Sequence, residues 1–216
     1  MLRNKKLIFV AVFMGLLALV LISCARRQIK NIDSKGTSII CFGDSITFGH
    51  GVNPGEDYPS DLAKMTDLQI INAGIDSDTS ADGLQRIDSD VLEKNPRLVI
   101  VEFGGNDFIK GLPMEETAAN IRAMVDRIQA KGAMVAIFDI SSGMIMGNYR
   151  SVLRDIALEK QAIFIPDALK GILTNPELKS DFIHPNAAGY KIVAHRVYRA
   201  IRPYLNENTL LRQSGK

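Results

Sequence analysis

Cysteine is scarce in this chain: Cys24 and Cys41 are the two among 216 residues. Two cysteines cannot build the multi-bridge scaffold of small disulfide-rich domains, so the fold must rest on a hydrophobic core. Histidine is nearly as rare, with three residues, and no set of His, Cys, Asp and Glu has metal-ligand spacing along the chain. No metal and no organic cofactor is expected. An excess of one charge is lacking too. The whole chain carries +2, but residues 1–23 hold three basic groups and no acidic one, leaving the remainder with 23 basic and 24 acidic residues, a net of −1. A domain with no basic field gives no reason to expect a nucleic-acid partner. Internal repeats are also absent, which sets aside repeat architectures.

What the chain has in abundance comes first at its N-terminus. Arg3, Lys5 and Lys6 precede an unbroken apolar run, Leu7 to Ile22, of 16 residues. That is short for a membrane span and fits the basic and apolar regions of an export signal. The run ends Leu21-Ile22-Ser23-Cys24, which resembles the lipobox of bacterial lipoproteins. The resemblance implies a signal peptide over residues 1–23 and lipidation of Cys24. An uncleaved anchor helix is the other reading. Both place the folded part at the bacterial cell envelope, held to a membrane and facing the periplasm or exterior. Cys41 is then left as a small buried apolar residue in a strand.

Residues 25–36 are polar and without apolar period, so residues 24–36 read as lipidated Cys and tether. Beyond them, short apolar runs at Ser38–Phe42, Leu68–Asn72, Leu98–Phe103, Met134–Ile140 and Ala162–Ile165 suit parallel strands buried on both faces. Amphipathic stretches near 58–65, 82–94, 115–131 and 148–160 lie between them, and a last helix is expected from about Asn186 to Tyr204. This succession predicts an α/β domain over 37–205, a three-layer α/β/α sandwich around a mainly parallel five-stranded sheet of flavodoxin-like type. Residues 206–216 read as a flexible tail. In such sheets the ligand sits beyond the carboxyl ends of the strands.

Every residue with chemistry to offer falls just after a predicted strand or before the last helix. Gly43-Asp44-Ser45 follows the first strand, and a glycine there lets the chain turn sharply and lift the hydroxyl above the sheet edge. Ser45 does not stand in Gly-x-Ser-x-Gly, which excludes the α/β-hydrolase elbow. A serine hydroxyl needs a base, and the base needs an orienter. His184 stands before Pro185 and the last helix, with Asp181 three residues upstream, close enough to hold one ring nitrogen and leave the other free. His195 falls within the last helix, and His50 reads as a solvated loop residue near Ser45. Oxyanion donors could come from the second loop, Ala73 to Ser80, and from the Asn106 side chain in Gly104-Gly105-Asn106-Asp107. Taken singly, Ser45 is equally readable as a helix cap and Asn106 as a turn residue.

Together these four loops resemble the four blocks of the SGNH (GDSL) hydrolases, in the family's order and over about residues 38–205. Within it, Val99 to Asp107 and Asp76 to Ser80 look most like the periplasmic acyl-CoA thioesterase/lysophospholipase (arylesterase) branch. The resemblance implies Ser45 as nucleophile, His184 as base and then acid, Asp181 as orienter, and an oxyanion hole made by Ser45, Ser77 and Asn106. The family's second-block glycine is missing at Ser77, which makes Gly74 the fallback donor. It also implies a serine esterase acting on small-molecule or lipid (thio)esters such as lysophospholipids, acyl thioesters or aryl esters. Two alternatives stand beside it: an O-acetyl esterase or acetyltransferase on cell-envelope polysaccharide, and a non-catalytic envelope lipoprotein. Met144, Ile145 and Met146, between glycines, could wall an acyl pocket or pack against the sheet end.

Overall fold

The computed structural model describes residues 28–141 and 146–213, with side chains as far as Leu205. Cys24, the export signal, Met144, Ile145 and residues 214–216 lie outside the described residues. Five strands form one sheet: β1 (Ser38–Gly43), β2 (Gln69–Gly74), β3 (Pro96–Glu102), β4 (Met134–Phe138) and β5 (Ile163–Ile165). Their order is β2-β1-β3-β4-β5 and every pairing is parallel. β1 and β3 are buried along their whole lengths, as continuous apolar runs in a covered parallel sheet require. β2 is an edge strand and half-exposed, so the expectation of burial on both faces fails there.

Among the described residues seven α-helices accompany these strands: α1 (Ser45–Phe48), α2 (Tyr58–Ala63), α3 (Ser80–Asp90), α4 (Gly105–Ile109), α5 (Met114–Ala130), α6 (Gly147–Glu159) and α7 (Ala187–Gln213). Helices α3, α5 and α6 pack on one another over one face of the sheet, while α2 packs on α7 across the other. The helix α5 shows why: Ala118, Ile121, Val125 and Ile128 form one buried stripe. The result is the expected three-layer α/β/α sandwich. Among the described residues no helix is long and apolar enough to cross a membrane.

Two boundaries differ from the sequence reading. The stretch read as a tether packs against the domain from Gln28 onward: Ile29 is buried, Ile32 lies against the core, and Asn31 Nδ2 donates to the Gln129 and Ala133 carbonyls at 2.8 and 2.9 Å. Two isoleucines three apart among basic residues are enough to hold a strap that shows no apolar period. Helix α7 passes Tyr204 and runs to Gln213, through most of the stretch read as a tail. Pro203 does not end it, because its ring is exposed and the carbonyl it leaves unpaired can be taken by water.

Candidate active site

The carboxyl ends of β1, β2 and β3 deliver three of the four chemical loops to one edge, and the segment before α7 brings the fourth. The first turn is tight because Gly43 has no side chain: a Cβ there would stand 2.3 Å from Thr47 Oγ1 and 2.6 Å from the Glu102 carbonyl oxygen. Asp44 then caps α1, its carboxylate accepting the Ile46 N–H at 3.1 Å, and Ser45 opens the helix. Ser45 Oγ lies 2.9 Å from His184 Nε2, and His184 Nδ1 lies 2.7 Å from Asp181 Oδ2. Ser45 and His184 are buried, whereas Asp181 faces solvent.

The Asp181–His184 loop is made to hold this relay. Asp181 Oδ1 accepts the N–H groups of Ile183 and His184 at 2.8 and 2.9 Å, the short side-chain turn for which aspartate is suited. A bridge between Lys179 and Pro185 closes the base of the loop. Burial pushes the Asp181 carboxyl upward, but the His184 ring and these two N–H donors outweigh it and hold it below the usual carboxylate range. The carboxylate therefore stays charged beside the imidazole.

Asn106 stands in the first turn of the short helix α4, just beyond the end of β3. Its Nδ2 donates to Asp44 Oδ2 at 3.1 Å and to the Asp78 carbonyl at 2.9 Å, tying the first three loops together. The neighbour Asp107 is buried and accepts from the Ser80 N–H at 2.9 Å and from Thr117 Oγ1 at 3.0 Å, fixing α4 against α3 and α5. In the second loop the two candidate donors differ. The Gly74 N–H is already taken by Asn72 Oδ1 at 2.9 Å, and Gly74 is a glycine because a Cβ would stand 2.2 Å from the Phe48 nitrogen. Ser77 has a φ of +69°, a left-handed conformation that costs a residue with a Cβ about 1 kcal/mol. Among the described residues no acceptor takes its N–H.

Arg86 locks this second loop from below. Its guanidinium donates to Asp78 at 2.6 Å, to Asp90 at 2.9 Å and to the carbonyls of Ala73 and Gly43 at 2.9 and 3.0 Å, over the Phe42 ring.

Three features were missed or misread in the sequence. Glu102, the last residue of β3, is buried beneath the Ser45 turn; its Oε2 accepts the Asp44 N–H at 3.2 Å and the Thr47 hydroxyl at 2.9 Å. Burial, and then the Asp44 charge, push its carboxyl well above the usual range. Burial likewise raises the Asp44 carboxyl from 3.8 to about 6, against the pull of its hydrogen bonds. A single charged residue inside the apolar run Val99–Phe103 was the signal that could have found this pair. The second is His50, which is not merely solvated: its ring stacks on that of His184 with centroids 4.2 Å apart, and its Nδ1 meets Asp76 Oδ2 at 3.0 Å. Third, His50, Asp181 and His184 offer ligand atoms all within 4.8 Å of one another, a grouping their distance in sequence conceals. Cys41 is buried as expected, and burial pushes its thiol up to about 12, leaving it unreactive.

A cavity of about 180 Å³ opens beside Ser45 and His184. Its walls are apolar, with Ile140, Met146, Leu169 and Leu173 inside and Phe108, Ile109, Phe182 and Ile183 at the mouth. Of the Met144–Met146 segment, Met146 is the residue placed in this wall; the other two lie outside the described residues. Seven of the eight exposed large apolar side chains among the described residues sit on the loops and short helices of this edge, Leu158 being the exception, and Phe182 is 90% exposed.

Chains of similar sequence and fold are known. The chain is 27% identical over 199 residues to Esterase TesA of Pseudomonas aeruginosa, spanning 87% of this chain and 99% of that one. It is 24% identical over 180 residues to Thioesterase 1/protease 1/lysophospholipase L1 of Escherichia coli, spanning 80% of this chain and 86% of that protein. A crystal structure of TesA superposes with a TM-score of 0.71 at 26% identity, covering 77% of this chain and 99% of the other. Residues 41–192 match the model of one family, and on that match the chain belongs to the GDSL-like lipase/acylhydrolase family.

Proposed function

We propose that this protein is a serine carboxylic-ester hydrolase that cleaves esters or thioesters with an apolar acyl chain. The observation that carries the reading is the relay of 2.7 and 2.9 Å from Asp181 through His184 to Ser45, set at the edge of an apolar cavity. Ser45 Oγ attacks the carbonyl carbon while His184 Nε2 takes its proton. Asp181 holds the other ring nitrogen and stabilises the imidazolium that forms. Charge gathers on the former carbonyl oxygen, which we assign to the N–H groups of Ser45 and Ser77 and to the Asn106 amide, the last by exchanging one of its bonds to Asp44 and the Asp78 carbonyl for the oxyanion. Ser77 is preferred to Gly74, whose N–H already has an acceptor. His184 returns the proton to the departing alcohol or thiol, and a water repeats the cycle on the acyl-enzyme. The relatives named as esterase, thioesterase and lysophospholipase support this class of substrate.

The apolar wall favours a hydrocarbon chain over an acetyl group on a sugar. Hydrolysis of p-nitrophenyl esters from acetyl to decanoyl, by the protein and by Ser45→Ala, tests this. Medium- or long-chain preference that disappears in Ser45→Ala is expected. A preference confined to acetyl would replace the reading with carbohydrate deacetylation, and no activity above the variant would end it.

We further infer that Cys24 is lipidated and that the domain faces the periplasm or exterior from a membrane, on the strength of Leu21-Ile22-Ser23-Cys24 after the apolar run. The strap enters at the amino-end edge of the sheet, where the Lys30 N–H binds the Gln161 carbonyl at 3.0 Å. Only residues 25–27 separate Cys24 from Gln28, so such an anchor would hold the cavity mouth on the side away from its own membrane. Incorporation of labelled fatty acid that is lost in Cys24→Ser is the expected result.

A further inference from the structure

We infer that His50, His184 and Asp181 form an inhibitory site for a borderline divalent cation such as Zn²⁺. This deepens the proposed function, since the ion would act by occupying the histidine that serves Ser45. Two imidazoles and a carboxylate bring their ligand atoms within 4.8 Å of one another. Zinc holds imidazole nitrogen at about 2.0–2.1 Å and carboxylate oxygen at about 2.0–2.2 Å, so donors on one ion lie roughly 3–4 Å apart. The remaining closure falls on the more exposed groups: the side chains of His50 and Asp181 are 42% and 41% exposed, while His184 is held in the wall.

The surroundings suit a cation. Asp76 holds His50 Nδ1 at 3.0 Å, the carboxylate–imidazole arrangement that fixes the tautomer and raises the basicity of a zinc-binding histidine. Stacking at 4.2 Å brings the His50 ring beside that of His184, and the half-exposed His50 ring has to tilt out of the stack for both in-plane lone pairs to meet at one ion. An imidazole-rich set favours Zn²⁺, Cu²⁺ or Ni²⁺ over Mg²⁺ and Ca²⁺, which prefer oxygen cages. The three protein groups leave one tetrahedral position for water or the Ser45 hydroxyl. With the ion bound, His184 can no longer both keep its bond to Asp181 and accept the Ser45 proton. Binding forms no covalent bond to carbon and reverses when the metal is withdrawn.

The test uses the whole chain. Ester hydrolysis is measured against rising ZnCl₂, then after EDTA, and against MgCl₂ at equal concentrations. Loss of activity with zinc, recovery with EDTA and indifference to magnesium are expected. In His50→Asn, scored against that variant's own metal-free rate, half-inhibition should need more than about tenfold more zinc, since even an outer partner of a ligating imidazole is worth that much. His50→Gln is the second variant should the first misfold. A reading independent of catalysis is zinc transfer from a chromogenic chelator to Ser45→Ala: one equivalent is expected, weakened by the same factor when His50→Asn is added. Equal zinc affinity with and without His50, or no transfer at all, overturns the site. Zinc capture that depends on His50 in a protein inactive on every ester would leave the site standing and overturn the function instead.

Discussion

Asp44 should make this fold more stable in mild acid than at neutral pH. Its side chain is 2% exposed, and burial raises its carboxyl from 3.8 to about 6 even though Ile46, Ser45 and Asn106 all donate to it. The folded state therefore holds the Asp44 proton more tightly than the unfolded chain does. Stability from this group is complete below about pH 4 and is lost as pH rises through about 6, the folded value. Raising a carboxyl from 3.8 to about 6 corresponds to about 3 kcal/mol by neutral pH. Asn106 and the nucleophile turn gain a charged acceptor for that cost. Urea unfolding from pH 4 to pH 8, for the protein and for Asp44→Asn, isolates the group. Exposed acids such as Asp82 and Asp167, whose carboxyls are held low, titrate alike in both proteins and cancel in the difference. The variant should match the protein near pH 4 and exceed it by about 3 kcal/mol at pH 8, with ester hydrolysis impaired throughout. Repeating the comparison in Glu102→Gln removes the part that flows through the neighbouring carboxyl. A difference that is flat with pH, or that grows toward acid, would refute the reasoning.

Three other outcomes follow from the same geometry. Asn106→Ala should lower kcat by about 10²–10³-fold with little change in KM, because an oxyanion donor acts on charge that exists only in the transition state; steady-state kinetics on a short p-nitrophenyl ester read this. Gly43→Ala should lose about 1–3 kcal/mol and most activity, since its Cβ would meet Thr47 Oγ1 at 2.3 Å and the Glu102 backbone at 2.6 Å, neither of which is free to retreat; urea midpoints check it. Arg86→Met should cost about 2–3 kcal/mol, because Asp78 and the Gly43 carbonyl lose their buried donor together, and thermal unfolding should show it alongside slower hydrolysis as the second loop loosens.

The sheet was legible because a parallel sheet covered on both faces demands continuous apolar runs, and β1, β3 and β4 are written that way. The long helices were legible by their stripes. What escaped were elements too short to carry a period. The four residues of α1 and five of α4 are a capped turn and a loop by pattern, and they become helices because Asp44, Asp107 and the sheet edge hold them. The strap around Ile29 escaped for a related reason: its anchoring contact comes from Asn31 to carbonyls about a hundred residues away, at Gln129 and Ala133.

The site divides along the same line. Ser45, Asp181 and His184 could be singled out because reactive residue types stand beside turn formers, after the first strand and before the last helix, and the fold needs only to bring those two segments to one edge. The pairs that set the electrostatics of that edge have no such mark. Asp44 and Glu102 lie 58 residues apart, and His50 and His184 further still, so neither spacing nor composition joins them. Glu102 alone left a trace, as one carboxyl in a strand with no room for charge. A carboxyl tolerated there, at the cost of raising its own proton affinity and that of Asp44, makes sense only if the turn above it has to be held in a set conformation. The buried Thr47 and Asp44 N–H contacts are what Glu102 holds. Stability is thereby given up in the residues that position the Ser45 hydroxyl, and it is recovered in the apolar layers on either side of the sheet.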